Sequence, residues 1–238
     1  MIYRIKVRLF LGILFFCTMG GLKAQNQLLT HADSLFDQQK YTEAFSKYHQ
    51  LFAEGKASSS MLLKMAFIQD GLGNYADALY FMNKYYEESA DRQVIGKIEE
   101  IVKENELSGY DYDDFSYFLA LLHKNQLWIM LLLVVLMVAL TVYIYKKKQE
   151  DQKPMGAFVI QIVLAVMLFS VLNLRPSAQG IIISDNTLLR SGPSAGAEPI
   201  EMLTKGHKVK VLDQDEVWAR IIWDGKEVFV RNGKLKVI

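Results

Sequence analysis

The run LWIMLLLVVLMVALTVYIY-KKKQEDQKPMG-AFVIQIVLAVMLFSVLNL, Leu127 to Leu174, divides the chain into its parts. Its two apolar stretches, 127–145 and 157–174, contain no charged residue. At about 1.5 Å of rise per residue, each is long enough to cross a hydrocarbon core of roughly 30 Å. The first holds twelve Leu, Ile or Val residues, each favouring insertion by roughly 0.3–0.6 kcal/mol. Both stretches therefore read as transmembrane helices. The 146–156 segment between them carries Lys146, Lys147, Lys148 and Lys153, whereas the outer flanks carry only Lys124 and Arg175. The lysine-rich loop is expected to be cytoplasmic, with everything before Leu127 and after Leu174 on the far side of the membrane. Trp128, Tyr143, Tyr145 and Phe158 lie near the span ends, where amphipathic rings favour the interface, and Pro154 suits the start of the second helix. Gln161, the one strongly polar side chain within either span, is expected to bond across to the other helix.

The N-terminus fits this topology. Arg4, Lys6 and Arg8 form a basic start, Leu9 to Met19 an apolar segment of secretory length, and Gly20, Gly21 and Ala24 a small-residue stretch near a cut after Ala24. Residues 1–24 read as a signal peptide, with an uncut anchor as the alternative because Leu22 and Ala24 make an imperfect A-x-A site. Cys17, the single cysteine, falls inside it, so the mature chain is expected to lack thiol chemistry. The chain has 238 residues, with 51% hydrophobic residues raised by the leader and the spans. Its net charge of +1 gives no basic field for nucleic acid.

Between Gln25 and Glu88 the chain nearly repeats itself with a shift of 34: Leu28 matches Leu62, Ala32 matches Ala66, Tyr41 matches Tyr75, and Ala44 matches Ala78. This resembles the tetratricopeptide repeat, one helix–turn–helix per period. The four alanines are expected where the helices of a unit approach most closely, and the two tyrosines at the starts of the second helices. Gln39-Lys40 and Gly73-Asn74 are the expected turns. A third unit would need Ala where Glu100 stands. Val94, Ile98, Ile101 and Val102 form one helical stripe instead, and Phe115, Phe118, Leu119 and Leu122 another, on a helix opening near Asp113 and Asp114. Two repeats expose their ends, so these read as capping helices, or as a decayed third unit, and the helical part runs over 25–125.

From Gln179 to Ile238 the texture changes to short strands. Leu188-Leu189-Arg190 runs into turn residues, Lys205-Gly206 makes a second turn before Val209 and Val211, and Asp224-Gly225 joins Trp218–Ile221 to Val228–Val230 as a hairpin. Five short strands are expected, closing a small barrel. LLRSGPS, LTKGHKVKVL and VWARIIWDGKEVFV together resemble a bacterial SH3 domain. The family's usual Asn after the first Leu is Leu189 here, and its usual Gly-Trp is Val228-Phe229. Trp218 is expected in the core by alternation, and Trp223, beside the hairpin, is a candidate for the barrel's ligand contact.

The order of these parts resembles the BatE-like family of the Bat (aerotolerance) operons. The expected fold class is a multidomain membrane protein, with all-α tetratricopeptide hairpins, two transmembrane helices and a C-terminal all-β SH3-like barrel. The resemblance implies the bacterial inner membrane, with soluble domains in the periplasm. Its implied partners are von Willebrand-type membrane proteins and a cytoplasmic AAA+ protein in envelope stress. His31, His49, His123 and His207 share no metal-ligand spacing, and no nucleophile elbow, zinc-protease or phosphate-cradling motif occurs. The expectation is a non-enzymatic adaptor without cofactor or metal. Its partner groove would be lined by Leu29, Asp33, Phe36, Asp37, Leu63, Phe67 and Asp70, and would suit a segment carrying Lys or Arg beside a bulky apolar residue. The alternative is a cell-wall anchor that grips peptidoglycan through the barrel.

Overall fold

The computed structural model describes residues 27–173 and 178–238. The leader with Cys17, Leu174 at the end of the second apolar stretch and Arg175 just after it lie outside the described residues. The chain forms two compact units that meet in sequence at Met82 and Asn83.

The first unit holds α1 (27–37), α2 (Tyr41–Ala53), α3 (Ser59–Gly71) and the first half of α4 (Tyr75–Ser89). The shift of 34 recurs in its geometry. Gln39 and Gly73 both take positive φ, 60° and 74°. The Lys40 N–H donates to Leu35 O and the Asn74 N–H to Gln69 O, each at 2.9 Å. These bonds cap the orphan carbonyls of the first helix of each pair. Tyr41 and Tyr75 open α2 and α4. Ala32, Ala44, Ala66 and Ala78 are fully buried, as are Tyr48, Leu62 and Met65. A larger side chain at any of the four alanines would push its helix off its neighbour. Phe81 adds edge-to-face contacts, with ring centroids 5.6 Å from Phe52 and 5.9 Å from Phe45.

The second unit begins within α4 and continues through α5 (Gln93–Glu104), α6 (Asp114–Lys124), α7 (Gln126–Gln149) and α8 (Met155–Asn173) into seven strands. On α5 the expected stripe is the buried face: Val94, Ile98 and Ile101 are buried and Val102 is half-buried. Asp113 caps α6, its carboxylate accepting from the Ser116 N–H at 2.8 Å. The stripe expected on α6 does not form a covered face, since α6 buries no residue and Phe115 and Phe118 are 65% and 52% exposed.

The helices α7 and α8 are long and apolar enough to cross a membrane. They pair antiparallel. Gln126 Nε2 donates to Val171 O at 3.0 Å near one end, and Gln161 Nε2 to Thr141 Oγ1 at 3.2 Å further along. The second bond is the cross-helix contact expected of Gln161. Lys146, Lys147 and Lys148 are not in a loop. They form the last turn of α7, where the helix C-terminus favours cations. The connecting segment is only 150–154. Pro154 stands just before α8, and its carbonyl accepts from the Phe158 N–H at 3.2 Å.

The strands are β1 (Gln179–Ile182), β2 (Thr187–Arg190), β3 (Pro199–Leu203), β4 (Lys208–Gln214), β5 (Trp218–Trp223), β6 (Lys226–Arg231) and β7 (Leu235–Val237). They form one antiparallel sheet in the order β3-β2-β6-β5-β4-β1-β7, seven strands instead of the five expected. The strands β1 and β7, which the sequence reading did not place, are four and three residues long. The Asp224-Gly225 hairpin is as expected: both residues take positive φ, 48° and 72°, which a two-residue turn of this hand requires. Ile182, Leu189, Val209, Ala219, Ile221, Val228 and Val230 fill the core. Trp218 is buried, as expected, although it stands outside the main core cluster. It lies on the face opposite Ala219 and Ile221, where it pairs across the sheet with Arg231, whose guanidinium lies 5.7 Å from the ring centroid.

Ala44→Trp should lower the stability of the first unit by about 1–3 kcal/mol or more through overpacking. Leu72→Ser, at a position 52% exposed, should change it by less than about 0.5 kcal/mol. Thermal melts followed by circular dichroism measure both. Equal midpoints for the two variants would contradict the packing described.

Candidate functional site

The first unit brings part of the expected groove together. Leu29, Asp33, Phe36 and Asp37 lie on α1, and Leu63, Phe67 and Asp70 lie on α3 at helical spacing. Phe36, Phe67 and Tyr41 form an edge-to-face triad, with centroids 5.5–5.8 Å apart. Phe67 and Leu63 are exposed, while Leu29 and Phe36 are half-buried. The charge differs from expectation at Asp33. One carboxylate oxygen of Asp33 accepts from Lys64 Nζ at 2.7 Å and from Tyr48 OH at 2.6 Å. Burial first, and Asp33 second, push the Tyr48 phenol well above its usual pKa. Lys64 also stands 5.2 Å from the Phe36 ring centroid. The surface is thus aromatic, with Lys64 offsetting Asp33, and Asp37 on its exposed side. Sequence reasoning omitted Lys64, although it lies one turn before Phe67 on the same helix.

In the second unit the segment between α5 and α6 docks on the sheet. The Lys208 N–H donates to Ser108 O at 3.0 Å, and the Ser108 N–H donates to His207 Nδ1 at 3.1 Å. Tyr110 OH donates to Gly206 O at 2.6 Å. Gly109 sits between these bonds with φ +92°, and a Cβ there would stand 1.9 Å from Lys208 O, so only glycine fits. Because Nδ1 of His207 accepts, its proton is on Nε2, which faces Thr204 Oγ1 at 3.3 Å. Burial holds the His207 pKa below the usual value, with Glu201 opposing, which keeps the ring neutral and able to accept.

The Lys208 side chain completes the junction. It is 7% exposed, and its ammonium donates to Asn83 Oδ1 at 2.9 Å. The same oxygen accepts from Tyr112 OH at 2.6 Å. The rings of Tyr112 and Tyr110 stand 4.8 and 5.6 Å from the ammonium. Burial pushes the Lys208 pKa down to about 8, against the pull of Glu87 and Asp111. A cavity of about 230 Å³ adjoins this site, lined by Glu87, Phe115 and Leu119 among others.

Trp223 is half-buried. It packs against the sheet core, donates from Nε1 to Glu201 Oε2 at 2.7 Å, and meets the His207 ring edge-on at 5.1 Å. It also lines a more open concavity of about 590 Å³ together with Gly109, Asp111 and Asp224.

Two outcomes test this junction. Gly109→Ala should undock the segment, seen as loss of protection of the Lys208 amide in hydrogen exchange; unchanged protection would contradict the close approach. The second outcome concerns pH. Unfolded lysine keeps its proton to about pH 10.4, whereas Lys208 in the fold releases it near pH 8. In that window the unfolded chain binds more protons, so stability rises with pH between about 8 and about 10. Lys208→Met should lack this rise in denaturant midpoints; a parallel rise in the variant would assign it elsewhere.

Residues 185–236 match the bacterial SH3 domain family. No curated protein and no solved structure matches the chain. The matched residues run from the turn before β2 into β7, so the C-terminal sheet carries a bacterial SH3 domain, and β1 lies outside the match.

Proposed function

We propose that the chain is a non-enzymatic, membrane-anchored adaptor of the BatE-like kind. It presents a tetratricopeptide-type helical surface and a bacterial SH3 domain on the periplasmic side of the inner membrane, in an envelope or oxidative-stress (aerotolerance) complex. One observation supports the two-span topology on which this reading rests. Ser108–Tyr112, before the two apolar helices, is hydrogen-bonded to Gly206–Lys208, after them. Two antiparallel crossings return the chain to the side it left, so a two-span topology permits this contact and a single crossing forbids it. The lysine run lies at the opposite end of α7, where the cytoplasmic side attracts it.

The helical surface supplies the partner site. Phe67 and Leu63 offer exposed apolar anchors, with the exposed Asp37 on α1 and Asp70 one turn after Phe67 on α3. A segment pairing Lys or Arg with a bulky apolar residue fits that surface, and a von Willebrand-type membrane protein is the partner class. A second reading, peptidoglycan binding through the SH3 domain, is supported by the family match and by the open concavity at Trp223.

Reporters active only in the cytoplasm should work when fused after Lys148 and fail when fused after Ile238. Activity at the C-terminal fusion would contradict the topology. Phe67→Ala combined with Asp37→Lys should lower crosslinked partner yield roughly tenfold or more, as loss of a hot spot does, with helical content unchanged. Full yield in that variant, together with retention of the chain on purified wall material that Trp223→Ala abolishes, would favour the peptidoglycan reading.

A further inference from the structure

The cavity beside Lys208 is not used by the contacts described so far. Its volume of about 230 Å³ is below the roughly 300–1,000 Å³ of sites for drug-sized ligands, so an occupant has the size of a single amino acid. Three kinds of lining converge on it.

The first is the ammonium of Lys208. An ammonium carries three donors, and among the described residues this one makes a single hydrogen bond, to Asn83. A cation buried this far is costly unless an anion or further acceptors compensate. The two tyrosine faces contribute, but they leave N–H donors for a ligand. The second lining is apolar. Phe115, Leu119 and Tyr86 line the cavity, and Phe115 is 65% exposed on a helix that buries no residue. The fold gains little from that ring, whereas a ligand side chain would cover it. The third lining is acidic. Glu87 and Asp111 both act on the Lys208 charge through space without pairing with it. Burial also pushes the Glu87 carboxyl above its usual pKa. A plain anion would meet these acids, and a plain amine would meet the lysine.

We propose that this cavity binds a small zwitterion of amino-acid type. Its carboxylate lies on the Lys208 ammonium, its amino group faces Glu87 and Asp111, and its apolar side chain lies against Phe115 and Leu119.

Calorimetric titration of the full chain in detergent with L-phenylalanine, 3-phenylpropionate and 2-phenylethylamine tests this. L-phenylalanine should bind saturably, and at least about tenfold more tightly than either singly charged analogue, a tenfold step being one lost ion pair of about 1.4 kcal/mol. Lys208→Met should remove the binding. Because that change also touches the junction, Ala120→Trp serves as a second variant. Ala120 lines the cavity from α6, and the indole should fill the space while the Lys208 amide keeps its exchange protection. Absence of saturable L-phenylalanine binding at millimolar concentration would overturn the proposal. So would unchanged binding in Ala120→Trp, or equal binding of 3-phenylpropionate.

Discussion

The ammonium of Lys208 is held by Asn83 on α4 and by two tyrosine rings from the segment between α5 and α6. Transferring a charged amine out of water is costly, and a fold retains one only where polar partners and ring faces replace the lost hydration. Those partners come from positions 125 and about one hundred residues earlier in the chain. The α7–α8 pair lies between them in sequence. The junction therefore fixes where the chain must be after α8, and it makes the strand β4 as much a part of the helical end as of the sheet.

The same junction gives the SH3-like sheet an intramolecular contact. Gly206, His207 and Lys208, at the start of β4, take up Ser108 and Tyr110. Trp223 lies beside this contact, held by Glu201 and His207. The sheet thus has one side tied within the chain and an exposed edge strand, β3, on which Ile200 and Met202 are 45% and 59% exposed. The helical surface in the first unit is different in kind. Its rings contact one another, and its main charge pair, Lys64 with Asp33, is internal to the surface. A half-exposed pair of this type contributes modestly to stability, so its arrangement bears more on recognition than on folding.

Much of this was legible in the residues. The shift of 34 anticipated both helix turns, Gln39-Lys40 and Gly73-Asn74, because turn and capping chemistry repeat with the sequence. Asp224-Gly225 announced its hairpin, and Gln161 a bond to the other apolar helix. Other features left no local signal. The strands β1 and β7 are too short for alternation to be visible. Alternation marked Trp218 as buried, but gave no sign that the small Ala219, with Ile221, joins the main core cluster in its place. Lys208 reads as a solvated strand residue, since nothing next to it in sequence predicts the ring faces that bury it. The dotted acids Asp111, Asp113 and Asp114 hid the role of the intervening Tyr112, whose hydroxyl shares Asn83 with the lysine.

The most direct measurement is a crosslink across the junction in native membranes. Ser108→Cys and His207→Cys, in a Cys17→Ser background, place two thiols where the Ser108 N–H now meets the His207 ring at 3.1 Å. Mild oxidation should join them within one chain, giving a reducible shift in electrophoretic mobility that neither single variant shows. Failure to join, with both thiols open to a membrane-impermeant label, would mean that the sheet does not rest on the segment between α5 and α6, and the account would be wrong at its centre.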